Sequence, residues 1–222
     1  TPAVIANENM QKQDVLSVTG RRLGGMDCDK SLLLKVVAPE MGMGLKMING
    51  LPIPPTYYSD MCAVDNIPAL TRFFSDDYGR EISQTMSVTK HPEQLERLLL
   101  VQENKLSARA VNSVRMAKEL LSSKDKITLP LHYIEDDFDV NISTEDLKSA
   151  LKPWLSKVKA LVVECLEKSS AAPEVVMVTG GMSLSPIIID ALYEELLTGL
   201  PRLENDAFNS VCEGLAIQAF KF

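Results

Sequence analysis

The sequence predicts an α/β chain, and three features predict it. Two apolar runs, "VLSVTGRRLGG" and "VVMVTGG", each end at a pair of glycines and pass into a helical pattern. Long stretches between them repeat apolar residues every three or four positions. A shorter one, "KITLPLHYI", alternates as a half-buried strand does. At 222 residues, with 45% hydrophobic and 24% charged content, the chain is long enough for one large domain or two small ones with a sizeable core.

In chain order, Asp14 to Arg21 reads as a strand. Gly24-Gly25 turns the chain into a helix carrying Leu32, Leu33, Leu34 and Val37. From Pro39 to about Ser83 the composition shifts: Met41, Met43, Met47, Pro52, Pro54, Pro55, Tyr57 and Tyr58 crowd together. This stretch is expected to be a long irregular loop with short helices. His91 to Ser123 is expected to be one long helical segment, with Leu95, Leu98, Leu99, Val101, Leu106, Ala110, Val111, Val114 and Ala117 on its apolar side. "KDKITLPLHYI" follows as a strand, and "EDDFD" (Glu135 to Asp139) as a solvated turn. After a short strand from Asp139, Ser143 caps a helix with acidic residues in its first turn. Pro153 should kink or restart that helix. Leu147, Leu151, Trp154, Leu155, Val158, Leu161, Val162 and Cys165 form its apolar stripe, read as core. Glu174 to Thr179 reads as a strand of a sheet covered on both faces. "SPIIIDALYEELLTGLP" reads as a helix stopped by Gly199 and Pro201, and "NSVCEGLAIQAF" as a last helix containing Gly214.

Composition excludes several functions. A net charge of −7 carries no nucleic-acid footprint. No window is apolar enough for a membrane span, and no signal-peptide pattern opens the chain. Cys28, Cys62, Cys165 and Cys212 lack metal-ligand spacing and fit reduced cytoplasmic thiols. With only His91 and His132, a histidine-based metal site or triad is not expected. No carboxylate pair has general acid/base spacing. The first residue is Thr1, so either the start was processed or the chain is part of a longer polypeptide.

The glycine pairs are the candidate binding elements. Glycine lets backbone approach a ligand closely, and N–H groups at a helix start attract anions. The plainer alternative is that each pair is only a turn; neither is a Walker or dinucleotide fingerprint. On the long helix, Arg115, Lys118, Glu119 and Ser122 are spaced i, i+3, i+4 and i+7, which would place them on one face. Such a set is also what a solvated charged helix end looks like.

The fixed order "LGGMDCD", "AKELLSS", "VVMVTGGMSLSP" and "NSVCEGLAIQA" resembles the heat-shock protein 70 chaperone family in its actin-like ATPase domain, closest to a short YegD-type bacterial branch. The likeness covers essentially the whole chain, as the second lobe only. Thr1 would fall just after that lobe's opening "DxGGGT" phosphate loop, and Phe222 where the short branch ends. The resemblance implies a ribonuclease H-like second lobe, with a parallel-sheet core from residues 1–24 and 139–222 and an inserted, mostly helical subdomain from 25–138. It also implies a cytoplasmic, stress-response chaperone that binds ATP or ADP between two lobes, with Mg2+ held through the other lobe. Its partners would be that N-terminal lobe, unfolded protein and co-chaperones. The hydrolytic residues would lie in the other lobe, so this chain alone is not expected to be an ATPase.

Carried over residue by residue, Gly24, Gly25, Gly180 and Gly181 resemble the family's phosphate- and ribose-side glycines. Lys118 and Ser122 match its adenosine-side lysine and serine. Departures fall on the adenine side. Glu119 and Leu184 stand where arginines stack on the base, and Arg115 stands where a glutamate accepts from the ribose. Phe208 lies where an aspartate is expected, with Asp206 nearby. Rival expectations are an interaction protein that kept the fold and lost nucleotide binding, and another actin-like superfamily ATPase or kinase.

Overall fold

The computed structural model describes residues 1–6, 15–203 and 210–219. Asp14, Asp206 and Phe208 lie outside the described residues. The protein is mixed α/β and divides into two units, one of 1–25 with 152–222, the other of 26–151.

The second unit is mostly helical. It contains α1 (Gly25–Val36, which begins in the first unit), α2 (Thr56–Met61), α3 (Ile67–Phe73), α4 (Asp76–Ser87), α5 (Pro92–Glu103) and α6 (Ser107–Leu120). The methionine- and tyrosine-rich segment, expected to be an irregular loop, is a structural part of this core. Tyr57, Tyr58, Met41 and Phe73 are almost wholly buried. Local caps set the short helices: Asn66 accepts from the Ala69 N–H at 3.3 Å and Ser75 from the Tyr78 N–H at 3.3 Å. The buried Asp60 carboxylate accepts from Arg72 Nε at 3.0 Å, from Arg72 Nη2 at 2.7 Å and from the Tyr78 hydroxyl at 3.0 Å. Tyr78 in turn packs edge-on against Tyr57 and Phe73, with ring centroids 5.5 Å apart in each pair.

The expected single helix from His91 is two. Periodicity continues through Asn104–Leu106, but Lys105 sits at φ 54° and ends α5. A side chain rarely adopts that left-handed backbone, and no helix continues through it.

β3 (Lys126–Pro130) pairs antiparallel with β4 (Asp139–Ser143) in continuous register from Lys126↔Ser143 to Pro130↔Asp139. Residues 139–151 therefore belong with the second unit, and the division falls after Leu151 rather than after 138. Ser143 and Asp146 form a reciprocal cap on α7 (Thr144–Lys168): the Ser143 hydroxyl accepts from the Asp146 N–H at 3.2 Å, and the Asp146 carboxylate accepts from the Ser143 N–H at 2.9 Å. Pro153 does not restart the helix, which runs through it for 25 residues.

In the first unit, β1 (Ala3–Ile5) pairs antiparallel with β2 (Val15–Val18). β2 is tied to the C-terminal half of α7 by two side chains. The Ser17 hydroxyl donates to the Cys165 carbonyl at 2.7 Å, and the Thr19 hydroxyl donates to the Leu161 carbonyl at 2.8 Å. β5 (Val176–Met177), α8 (Pro186–Glu195), β6 (Arg202–Leu203) and α9 (Ser210–Ala219) complete the unit. β5 pairs in parallel with β6 over two residues. The expected parallel-sheet core is thus reduced, among the described residues, to this one short parallel pair. Val175 and Met177 are 43% and 48% exposed, so the run is not covered on both faces as its apolar sequence suggests. Continuous apolarity reports the covering available to a strand only when neighbouring strands and helices are there to supply it.

Candidate functional site

A cavity of about 440 Å3 opens within the first unit. Gly24 and Gly25 line it, and so do Thr179, Met182 and Ser183, which flank the second glycine pair. The first glycine turn and the residues on either side of the second, distant in sequence, therefore line one space.

The second turn has a physical reason to contain glycine. Gly180 has φ 90° and ψ 158°, a backbone conformation open essentially to glycine alone. No atom lies within 4 Å of where its Cβ would stand, nor within 4 Å of that point at Gly24. The need at Gly180 is conformational, and a side chain at Gly24 would meet open space. Gly181 opens a one-turn 3-10 helix, Gly181–Leu184, in which the Ser183 N–H donates to the Gly180 carbonyl at 2.9 Å. Ser183 is buried, and its carbonyl accepts from Arg202 at 3.4 Å. Gly25 is the first residue of α1, a helix of 12 residues.

Much of the rest of the cavity is apolar. Trp154, Val158, Leu161, Val162 and Cys165 of α7 form one wall. Their helical spacing indicates core. The structure makes the same stripe the lining of a cavity, a distinction periodicity does not carry.

Lys118 and Ser122 belong to the second unit. Lys118 Nζ donates to the Asp29 carboxylate at 2.6 Å, with side chains 13% and 6% exposed. Burial pushes the Asp29 carboxyl above its ordinary range, and the bond from Lys118 only partly offsets that. Burial likewise pushes the neighbouring Cys28 thiol up to about 12, which leaves it an inert core thiol. Asp29 is a residue that sequence reasoning misses. Its position one turn after Gly25 in "LGGMDCD" is the signal that could have found it.

Ser122 does not share a helical face with Arg115, Lys118 and Glu119. α6 ends at Leu120, and Ser122 lies exposed in the following turn, its N–H donating to the Glu119 carbonyl at 3.2 Å. Two serines in succession favour such a turn over continued helix. Glu119 and Arg115 are exposed and pair with each other at 3.7 Å. Leu184 is 56% exposed.

Among the described residues, no group of three histidine, cysteine or acidic side chains could hold a metal ion. None of the helices described is long and apolar enough to cross a membrane. In "EDDFD", Glu135 pairs with Arg97, Asp139 with His132, and Phe138 is buried, so the segment is a structured turn. No protein-family model matches the chain.

Proposed function

We propose that this chain is the second lobe of a chaperone-like, ATP-binding protein of the heat-shock protein 70 type, with an actin-like fold. In this reading it has kept the phosphate side of a nucleotide site and weakened the adenine side. The observation that carries the reading is the shared cavity of the two glycine turns. Strand, glycine pair and helix recur at distant points of the sequence, and Gly24, Gly25 and the residues flanking the second pair line one space. Backbone N–H groups hold phosphate regardless of side-chain substitution, whereas adenine stacking depends on side chains that Glu119 and Leu184 do not supply.

Two lost stacks at about 1 kcal/mol each and about 1 kcal/mol for ribose hydrogen bonds lower ATP affinity by roughly a hundredfold or more. Calorimetry on the intact native polypeptide tests this. ATP and tripolyphosphate should bind with similar, weak affinity. Glu119→Arg with Leu184→Arg restores the two stacks alone and should tighten ATP about thirtyfold and leave tripolyphosphate unchanged. An unmodified protein that binds ATP as tightly as the double variant does would overturn the reading.

A second reading, an interaction protein that no longer binds nucleotide, is favoured by one feature: the lysine matched to adenosine is committed to Asp29 in a largely buried ion pair. Absence of binding by both ATP and tripolyphosphate would select it.

A further inference from the structure

In the second unit, two segments distant in sequence meet in a small antiparallel tip. Residues 46–52 fold back on themselves: the Met47 N–H donates to the Leu51 carbonyl at 2.8 Å, and the Gly50 N–H donates to the Met47 carbonyl at 2.9 Å. Lys46 bridges Pro52, and Met47 bridges Thr89, both antiparallel. The Ile48 N–H donates to the Val88 carbonyl at 2.7 Å and holds the second segment alongside. Side chains alternate across such a pair. Thr89 is buried and Met47 half-buried, so Lys46, Ile48, Val88 and Lys90 share the outer face. The antiparallel order puts Ile48 with Val88 and Lys46 towards Lys90.

That face is amphipathic. Ile48, Leu51 and Val88 are 66%, 58% and 43% exposed, and Lys46 and Lys90 are exposed. Residues 46–52 and 88–91 contain no acidic residue, in a chain of net charge −7. The nearest acid in sequence, Glu93, is taken up by His91 at 3.3 Å. One exposed aliphatic side chain is ordinary; three beside two lysines on a hydrogen-bonded turn mark a contact surface.

The shape narrows the partner. Residues 48–52 are exposed in succession, and a Cβ at Gly50 would meet open space, so the turn projects and lines no groove. It carries no Trp, Tyr or Arg, the side chains that anchor most protein interfaces. Aliphatic side chains on a projecting turn, flanked by lysines, fit an anionic bilayer. The apolar groups enter the headgroup boundary while the ammonium groups meet lipid phosphate and carboxylate.

We propose that this tip is a peripheral membrane contact, which docks the second unit reversibly on anionic lipid. The contact is separate from the cavity and the glycine turns of the first unit.

The intact native polypeptide is floated with vesicles of phosphatidylcholine alone and with vesicles containing about one-third phosphatidylserine. It should float with the second kind only, and added salt should release it. The amide signals of Ile48 to Leu51 should be the first to broaden. Lys46→Gln with Lys90→Gln should weaken binding about thirtyfold. Ile48→Ser with Leu51→Ser should weaken it by at least about tenfold. Ile67→Ser, at an exposed isoleucine outside the two segments, should leave it unchanged. No flotation, equal flotation with both vesicles, or binding that leaves the tip signals sharp overturns the proposal. So does a dimer that the Ile48→Ser, Leu51→Ser variant dissociates, which makes a second copy the occupant. Lipid choice, salt and the tip signals of the unmodified protein decide the matter even if a variant does not fold.

Discussion

In the second unit, Leu32, Leu33, Tyr58, Phe73, Leu95 and Leu98 have no exposed surface at all, whereas the least exposed apolar residue described in the first unit, Cys165, retains 2% and most of its neighbours 4–8%. Exposed apolar side chains do not separate the two units, since Ile67 and Ile48 of the second are as exposed as Leu215 and Ile217 of the first; the difference lies in the buried residues. The difference follows from how each unit is built. The second stacks successive helices whose apolar faces close on one another, with caps and a buried carboxylate fixing the joints. The first has two-stranded sheets too narrow to cover a helix face, so a cavity remains where a wider sheet would pack. Close packing gives the second unit its stability; incomplete packing gives the first a space that a ligand can use.

The sharpest test of this contrast is a matched pair of truncations. Phe73→Ala in the second unit should cost roughly 3–5 kcal/mol, because its neighbours cannot collapse into the void. Ile188→Ala on the wall of the cavity should cost about 2 kcal/mol, since the wall is already only partly packed. Urea denaturation of each variant checks the pair, and equal losses would mean that the cavity is tightly packed in solution.

Next in size is the ion pair. Asp29→Ala leaves the Lys118 ammonium largely buried without that carboxylate and should cost about 3 kcal/mol. Thr19→Val in the first unit removes one hydrogen bond to the Leu161 carbonyl and should cost only about 1 kcal/mol. The pH dependence has a definite sign. Burial raises the Asp29 carboxyl, so the folded state keeps a proton that the unfolded chain releases near 3.8. The stability linked to that proton is fully present below about 3.8 and is lost as pH rises through the raised folded value. Asp29→Asn should flatten that part of the stability–pH curve.

Asp146 titrates in the opposite sense. Hydrogen bonds from Ser143 hold its carboxyl below the ordinary range, so its contribution is present above the ordinary value and is lost as pH falls through the depressed one. Ser143→Ala should cost about 1 kcal/mol and return the Asp146 carboxyl toward its ordinary value, read by carbon-detected NMR titration. Smallest of all, Trp154→Phe should change stability by less than about 1 kcal/mol in the absence of ligand, because no hydrogen bond is lost. A larger loss would mean that the indole N–H is already engaged.

Several elements are legible in the sequence. The helix after Gly25, the strand at Lys126, the serine cap at Ser143 and the helix after Pro186 follow from local signals: apolar period, capping residue, glycine or proline at a boundary. The break at Lys105 is hidden because the apolar period continues through it while the backbone does not. The methionine- and tyrosine-rich segment misleads because its prolines and turn residues lower local helix signals, although its tyrosines and methionines are what the surrounding helices bury. At the candidate site, the two glycine turns stand out as turns, because a backbone conformation such as that of Gly180 leaves a composition mark.

What the sequence determined by itself is therefore local: where most helices and strands start, and where the chain turns, since those depend on backbone sterics and neighbours a few residues away. What only the tertiary structure decided is which distant elements share a space. That Gly25 borders the same cavity as Thr179 and Ser183, that Lys118 is taken up by Asp29, and that the buried Trp154 stripe also borders a cavity all depend on long-range packing. A helical period of apolar residues says that a face will be covered, and leaves open what will cover it.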